Sequence, residues 1–269
     1  MTSQITCHQP FSSSYSSGLG EGNPIIQTLP HGSRSNRYHF ISTLEVVEAL
    51  EKKGFQVEHA RAARASEAYQ GFQRHEVQFG SSALPVDKVK RMQLSLVNSH
   101  NGKSGFSFGL RVFVKVCSNG LYCFNQLAGV KLRHAGKGLE SLGWHVDQVL
   151  DQAARVWALM GSMEAVCLDP IQQEQFAARA VGLRWDSRTG PEIPYDPKLL
   201  LEGFRLAQQD ATVWNVYNRV QSNLLQGQEY RVLDEEGRPC FRKTRRITAL
   251  DRELRINRSL FELAASYVH

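Results

Sequence analysis

Phe106-Ser107-Phe108-Gly109-Leu110-Arg111-Val112-Phe113-Val114-Lys115-Val116-Cys117 is the longest period-two run in the chain. On an extended backbone Phe106, Phe108, Leu110, Val112, Val114 and Val116 fall on one side. Ser107, Gly109, Arg111, Phe113 and Lys115 fall on the other. Such spacing of aromatic and β-branched residues specifies a strand, because a helix would scatter them round its circumference. Three further segments share the pattern. In Arg74–Phe79, His75, Val77 and Phe79 oppose Arg74, Glu76 and Gln78. In Arg91–Val97, Met92, Leu94 and Leu96 oppose Arg91, Gln93 and Ser95. In Val130–His134, Val130 and Leu132 oppose Lys131 and Arg133. Asn98-Ser99-His100-Asn101-Gly102 and Ser118-Asn119-Gly120 supply turns, since Asn-Gly tolerates positive φ. The pattern predicts an antiparallel sheet of four to five strands with an apolar face and a basic face.

Helical signals flank the sheet. Ser42 with Glu45 forms a capping box and Gly54 a stop, so a helix is expected between them. From Leu139 to Gly161, residues Leu142, Val146, Val149, Ala153, Val156 and Met160 form an apolar stripe. Asp169-Pro170 and Asp196-Pro197 each put a capping carboxylate before a proline at the first helical position. Those helices are expected to run to about Gly182 and Gln208. Thr212–Gln226 carries Trp214, Tyr217, Val220 and Leu224 on one face, with Gly227 as its stop. A hairpin turning at Glu236-Gly237 is expected over 230–241, and a last helix capped by Thr248 and Asp251. The fold class is α+β, with the helical C-terminal half packed on one face of the sheet.

The 269 residues, 42% hydrophobic and 22% charged, suit a soluble protein with an adequate core. Residues 1–35 are rich in Ser, Gly and Pro and are expected to form a mobile N-terminal arm. Residues 36–269 are expected to form a single α+β domain, sheet-rich over 36–137 and helix-rich over 138–269. No apolar run reaches the ~20 residues of a membrane helix. With no signal sequence, the expected location is the cytoplasm, with no membrane partner. The five cysteines are odd in number and scattered, which excludes a secreted disulfide framework. Cys117 and Cys123, between His100 and His134, lack paired ligand spacing, so no metal is expected. No cofactor is expected either. The chain has no phosphate-loop, zinc-protease or nucleophile-elbow motif. An enzyme is not the leading expectation.

Charge is unevenly placed. The whole chain carries +6, but residues 61–137 carry +9 and residues 138–210 carry −5. On the expected pairing Arg74, Arg91, Arg111, Lys115, Lys131 and Arg133 share the face opposite the core, a surface suited to phosphates. Phe113 on that face is placed to stack a base. A second basic group is Arg242, Lys243, Arg245 and Arg246, with Arg238 before it and Arg252, Arg255 and Arg258 after it. Asn98, His100 and Asn119 form a candidate polar cluster if two turns meet at one sheet end, with His100 as its candidate general base. The leading expectation is a nucleic-acid-binding accessory protein that binds or anneals single-stranded DNA, working as a homo-oligomer. One alternative is a protein-binding inhibitor of a host defence or repair protein, suggested by the split charge. Another is a metal-dependent nucleic-acid enzyme.

Several blocks, in order, resemble one family. They are Ser35-Asn36-Arg37-Tyr38-His39-Phe40-Ile41-Ser42-Thr43, Gly71-Phe72-Gln73-Arg74-His75, Leu96-Val97-Asn98-Ser99-His100-Asn101-Gly102 and Val116-Cys117-Ser118-Asn119-Gly120-Leu121. After Arg133-His134-Ala135-Gly136 come Trp214-Asn215-Val216-Tyr217-Asn218-Arg219-Val220-Gln221, Asn223-Leu224, Thr244-Arg245-Arg246-Ile247, Asp251-Arg252 and Asn257-Arg258. The set is similar to the uncharacterised plasmid and prophage family that includes YubP, YfjQ and YafZ of enterobacteria. It covers about residues 34–267. Ala135 departs from it, standing where Thr or Ser is expected. The resemblance implies carriage on a bacterial mobile element, among plasmid and phage genes concerned with incoming or replicating DNA. It implies no established activity, cofactor or catalytic residue.

Overall fold

The computed structural model describes residues 22–35, 38–114, 121–123, 129–132, 142–185, 196–202, 210–233 and 236–268. The order is α1 (Thr43–Lys52), β1 (Gln56–Ala62), β2 (His75–Gly80), β3 (Lys90–Asn98), β4 (Phe106–Val114), β5 (Leu121–Cys123) and β6 (Gly129–Leu132). Then follow α2 (Leu142–Ala165), α3 (Pro170–Arg184), α4 (Val213–Gln226), β7 (Glu229–Leu233), β8 (Pro239–Lys243) and α5 (Leu250–Ala265). Strands β1 to β5 neighbour one another in chain order, and β6 joins at β4. β6 pairs with the first half of β4, Phe106–Gly109, and β5 with Leu110–Val112. β1 pairs antiparallel with β2, and β2 with β3. The α+β class and the antiparallel sheet are therefore as expected. β1 is an addition: its burial follows no clean alternation, and a bulge between Val57 and His59 breaks its register.

The chain divides into two compact units. The first comprises Met1–Leu84, Gln93–Gly109 and Gly129–Val149. The second comprises Pro85–Met92, Leu110–Ala128 and Leu150–His269.

In the first unit Ser42 caps α1 by accepting from the Glu45 amide at 3.3 Å. Val46, Val47 and Leu50 form its buried stripe. Val77, Phe79, Leu94, Leu96, Phe106 and Phe108 complete the core, and each was assigned from the sequence to the apolar face. Part of the segment expected as an arm, residues 22–35, carries local structure. Asn23 caps a short turn at Pro24–Ile26, and Pro24 and Ile25 are buried. Two apolar side chains at that turn offset the ordering entropy that the polar composition suggested would prevail. Residues 1–21 lie outside the described residues.

In the second unit α3, α4 and α5 pack on one another around Phe176, Val181, Tyr217, Val220, Leu224, Leu260 and Phe261. Asp169 and Gln172 form a capping box, with Pro170 at the first position of α3. Thr212 caps α4. Gly227 follows α4 at φ 81°, and the Thr244 carbonyl fills the place a Cβ would take. Two expectations are corrected. Residues 197–201 form a single 3₁₀ turn, and 203–209 lie outside the described residues. α5 begins at Leu250 after Ala249, with no side-chain cap from Thr248. The Ile247 amide donates to the Leu225 carbonyl, which leaves Thr248 outside the first turn. No helix among the described residues is long and apolar enough to cross a membrane.

A buried amide pair ties α4 to α5: Gln221 Nε2 donates to Asn257 Oδ1 at 2.6 Å. Removing one partner strands the other in an apolar setting, whereas removing both does not. Asn257→Ala should cost about 1–3 kcal/mol in urea unfolding. The double change Gln221→Leu/Asn257→Leu should lie closer to the wild-type midpoint.

Candidate nucleic-acid interface

The sheet face expected to be open is largely closed. Glu76 and Ser95 are wholly buried, and Gln78 and Gln93 nearly so. A carboxylate so placed needs partners. Arg61 Nε donates to Glu76 Oε2 at 2.6 Å, and Ser95 Oγ donates to Oε1 at 2.6 Å. Gln93 donates to Glu58. Arg74 is half-buried; burial lowers its pKa, against the pull of Glu76. Arg111 is only 8% exposed. Arg91 is half-buried, 5.2 Å from the Phe113 ring. Phe113 thus touches an arginine of its own chain.

Lys90, from the same basic stretch, is held still more firmly. Its Nζ lies 2.5 Å from Glu164 and 3.0 Å from Asp87. It also lies 5.0 Å from the Trp157 ring and 5.9 Å from that of Trp214. Burial works against its charge, but the Glu164 and Asp87 carboxylates outweigh that and hold the ammonium above the usual lysine range. Lys131 sits at the register position opposite Ser107. Lys115 and Arg133 lie outside the described residues. The expected wet cationic face is corrected at Arg111, which is buried, while Arg74 and Arg91 are half-buried. Alternation reports which residues share a face, not whether that face meets water.

The expected polar cluster exists in part, and it is internal. Thr43, the first residue of α1, lies with its Oγ1 2.7 Å from His75 Nε2 and 2.9 Å from Asn98 Nδ2. It lies 3.5 Å from His100 Nε2. His75 Nδ1 is 2.9 Å from the Gln73 carbonyl, which can only accept. The His75 proton therefore sits on Nδ1, and Nε2 accepts from the Thr43 hydroxyl. The hydroxyl oxygen in turn accepts from Asn98 and from His100 Nε2–H. Asn98 also donates to the Ile41 carbonyl, Tyr38 donates to the Ser99 carbonyl, and the His31 amide donates to the His100 carbonyl. Burial raises the Tyr38 pKa to about 12, against a smaller lowering by Arg34.

His100 is completely buried, its ring tilted at 43° to that of Phe40 with centroids 4.8 Å apart. It faces no solvent in this arrangement, which removes the general-base role expected of an open turn. Asn119 lies outside the described residues. Sequence reasoning missed Thr43 and His75 as members. Their signal was present: both end blocks that carry the family resemblance, and a histidine in an apolar row requires a partner.

The second basic group is where exposed cations gather. Residues 238–258 hold eight Lys/Arg against two Asp/Glu. Arg242, Lys243, Arg245 and Arg246 are all exposed, as are Arg238, Arg252, Arg255 and Arg258. Arg242 and Lys243 end β8, and Arg245 and Arg246 follow in the linker to α5. Tertiary bonds fix their backbone. The Gln228 amide donates to Thr244 Oγ1 at 2.9 Å, and the Thr244 amide to the Gln228 carbonyl at 3.0 Å. The buried guanidinium of Arg184, at the end of α3, donates to the Leu224 carbonyl and, at 2.5 Å, to that of Arg245. Arg252 donates back to the Arg184 carbonyl at 2.9 Å. Among the described residues Arg242, Arg245, Arg246 and Arg255 have no carboxylate partner. Lys243 meets Glu229 at 3.3 Å, and Arg258 meets Glu262 at 3.6 Å, with every partner well exposed.

The profile of the family described as Domain of unknown function (DUF932) matches residues 30–261. The chain belongs to this family. It is 27% identical over 241 residues to UPF0380 protein YfjQ of Escherichia coli (strain K12), covering 87% of this chain and 84% of that one. It is 27% identical over 235 residues to UPF0380 protein YafZ of the same strain, with the same shares covered. No solved structure matches. The blocks that carry the resemblance meet in space: three of them supply the Thr43 cluster, and two supply the Gln221–Asn257 pair.

Burial lowers the His75 pKa to about 4, with a smaller lowering by Arg74 and an opposing pull from the Gln73 carbonyl. The ordinary value lies near 6.5, so as pH falls the unfolded chain takes the proton first. The stability contributed by neutral His75 is complete above about pH 6.5 and is lost as pH falls to about 4. The loss is roughly 3 kcal/mol. Chemical denaturation at stepped pH should show it, and His75→Gln should flatten that part of the profile.

Proposed function

We propose that the protein binds nucleic acid through the β7–β8 ribbon and the linker after it, as an accessory factor handling the DNA of a mobile element during transfer or recombination. The observation that carries this is the set of exposed arginines, Arg242, Arg245 and Arg246, without internal partners among the described residues. A cation that a protein leaves unpaired beside others of its sign raises its own energy by repulsion, and a polyanion relieves it. Arg61 and Lys90 contrast with them, since carboxylates of the chain already neutralise both. The mobile-element setting comes from the family resemblance, which supplies DNA as the available polymer.

Anisotropy of a labelled oligonucleotide, titrated across a salt series, tests the reading. Log affinity should fall linearly with log salt. The triple change R242A/R245A/R246A should reduce the magnitude of that slope by about 2, at ~0.7 per lost phosphate contact on a single strand. An unchanged slope and affinity would sink the proposal.

A further inference from the structure

Antiparallel register assigns the two sides of the ribbon. Glu229, Arg231 and Leu233 stand opposite Lys243, Phe241 and Pro239 on one side. Tyr230 and Val232 stand opposite Arg242 and Cys240 on the other. Tyr230 is 8% exposed, but Arg242 opposite it is exposed, so cations on both sides of β8 reach solvent. Phe241 is 77% exposed, more than any other large hydrophobic residue among those described. It occupies the middle of β8, not the turn. Burying such a ring would gain about 1.5–3 kcal/mol, so its display costs the isolated chain a gain it could have had. Lys243 lies two residues on along the same side, Arg242 is adjacent, and Arg238 precedes the strand.

We infer that Phe241 is a stacking platform for an unpaired base, with Arg242 and Lys243 holding the flanking phosphates. The inference rests on the nucleic-acid reading above and adds the strandedness of the ligand. The argument is geometric. In a duplex both faces of an interior base are covered by its neighbours, and only edges remain in the grooves. A lone ring on a ribbon reaches a base face only where the strand is single. β8 is five residues long and spans about 16 Å, enough for a ring flanked by phosphate contacts. The Lys243–Glu229 and Arg238–Glu236 pairs do not compete strongly. Both are exposed, and such pairs are nearly neutral in water, so a phosphate replaces the carboxylate at little loss. The charge around the ring selects the occupant, since a protein or lipid partner meeting this apolar spot would have to neutralise the same cations.

The test uses the full chain and two labelled probes: an oligo-dT of about 20 nucleotides and a hairpin duplex with the same number of phosphates. Wild type should prefer the oligo-dT. Phe241→Ala should weaken oligo-dT binding about ten-fold and duplex binding by less than about two-fold, with an unchanged melting temperature. Phe241→Trp should restore oligo-dT affinity, and its added indole emission should be quenched by oligo-dT and not by the duplex. Equal weakening of both probes by Phe241→Ala, or no weakening of either, overturns the stacking assignment. If R242A/R245A/R246A loses binding while Phe241→Ala keeps it, only the stacking assignment fails. If the triple variant binds as wild type does, the nucleic-acid reading beneath it fails too.

Discussion

One hydroxyl group organises the first unit. Thr43 has a single proton to give and two lone pairs to fill. His75 takes the proton, and Asn98 and His100 supply the two donors. The four side chains come from different stretches of chain: the start of α1, the start of β2, the end of β3 and the turn beyond it. The oxygen is saturated, so truncating Thr43, His75 or Asn98 to alanine leaves a buried polar group without its partner. Buried polar groups are costly unless paired, and this network turns that cost into a constraint on how the strand ends and the first helix meet. The segment before α1 is drawn into the same arrangement by His31 and Tyr38.

The two kinds of basic residue differ in what surrounds them. Those in and beside the sheet are spent on internal neighbours: Arg61 on Glu76, Lys90 on Asp87 and Glu164, Arg91 on Phe113. Arg184 is spent on backbone carbonyls at the foot of the ribbon. The guanidinium groups of Arg242, Arg245 and Arg246 beyond it are exposed. Net charge by segment cannot separate these cases, because a neutralising carboxylate can come from anywhere in the chain. Glu164 lies in the acidic half and Lys90 in the basic half, yet they form one pair.

That difference also explains what could be read from the sequence. The strands around Phe106–Val114, the caps at Ser42 and Asp169 and the hairpin at Gly237 depend on neighbouring residues, and local pattern reveals them. β1 was missed because a bulge interrupts its alternation. The last helix start was misplaced because a distant carbonyl, that of Leu225, decides where the chain turns. The polar cluster was half visible. Asn98 and His100 stand together in a turn motif, while Thr43 and His75 arrive from elsewhere. The basic ribbon was named from its composition, but Phe241 was passed over. An aromatic in a strand is ordinarily core, and only the fold tells which side of the ribbon it occupies.

Gly227 gives the ribbon its footing. With a carbonyl seated where a side chain would otherwise begin, α4 and the far end of β8 close on each other like the two leaves of a pinned joint. The root of the ribbon is thereby held against α4, and a ligand pulling on β8 would load the helices directly.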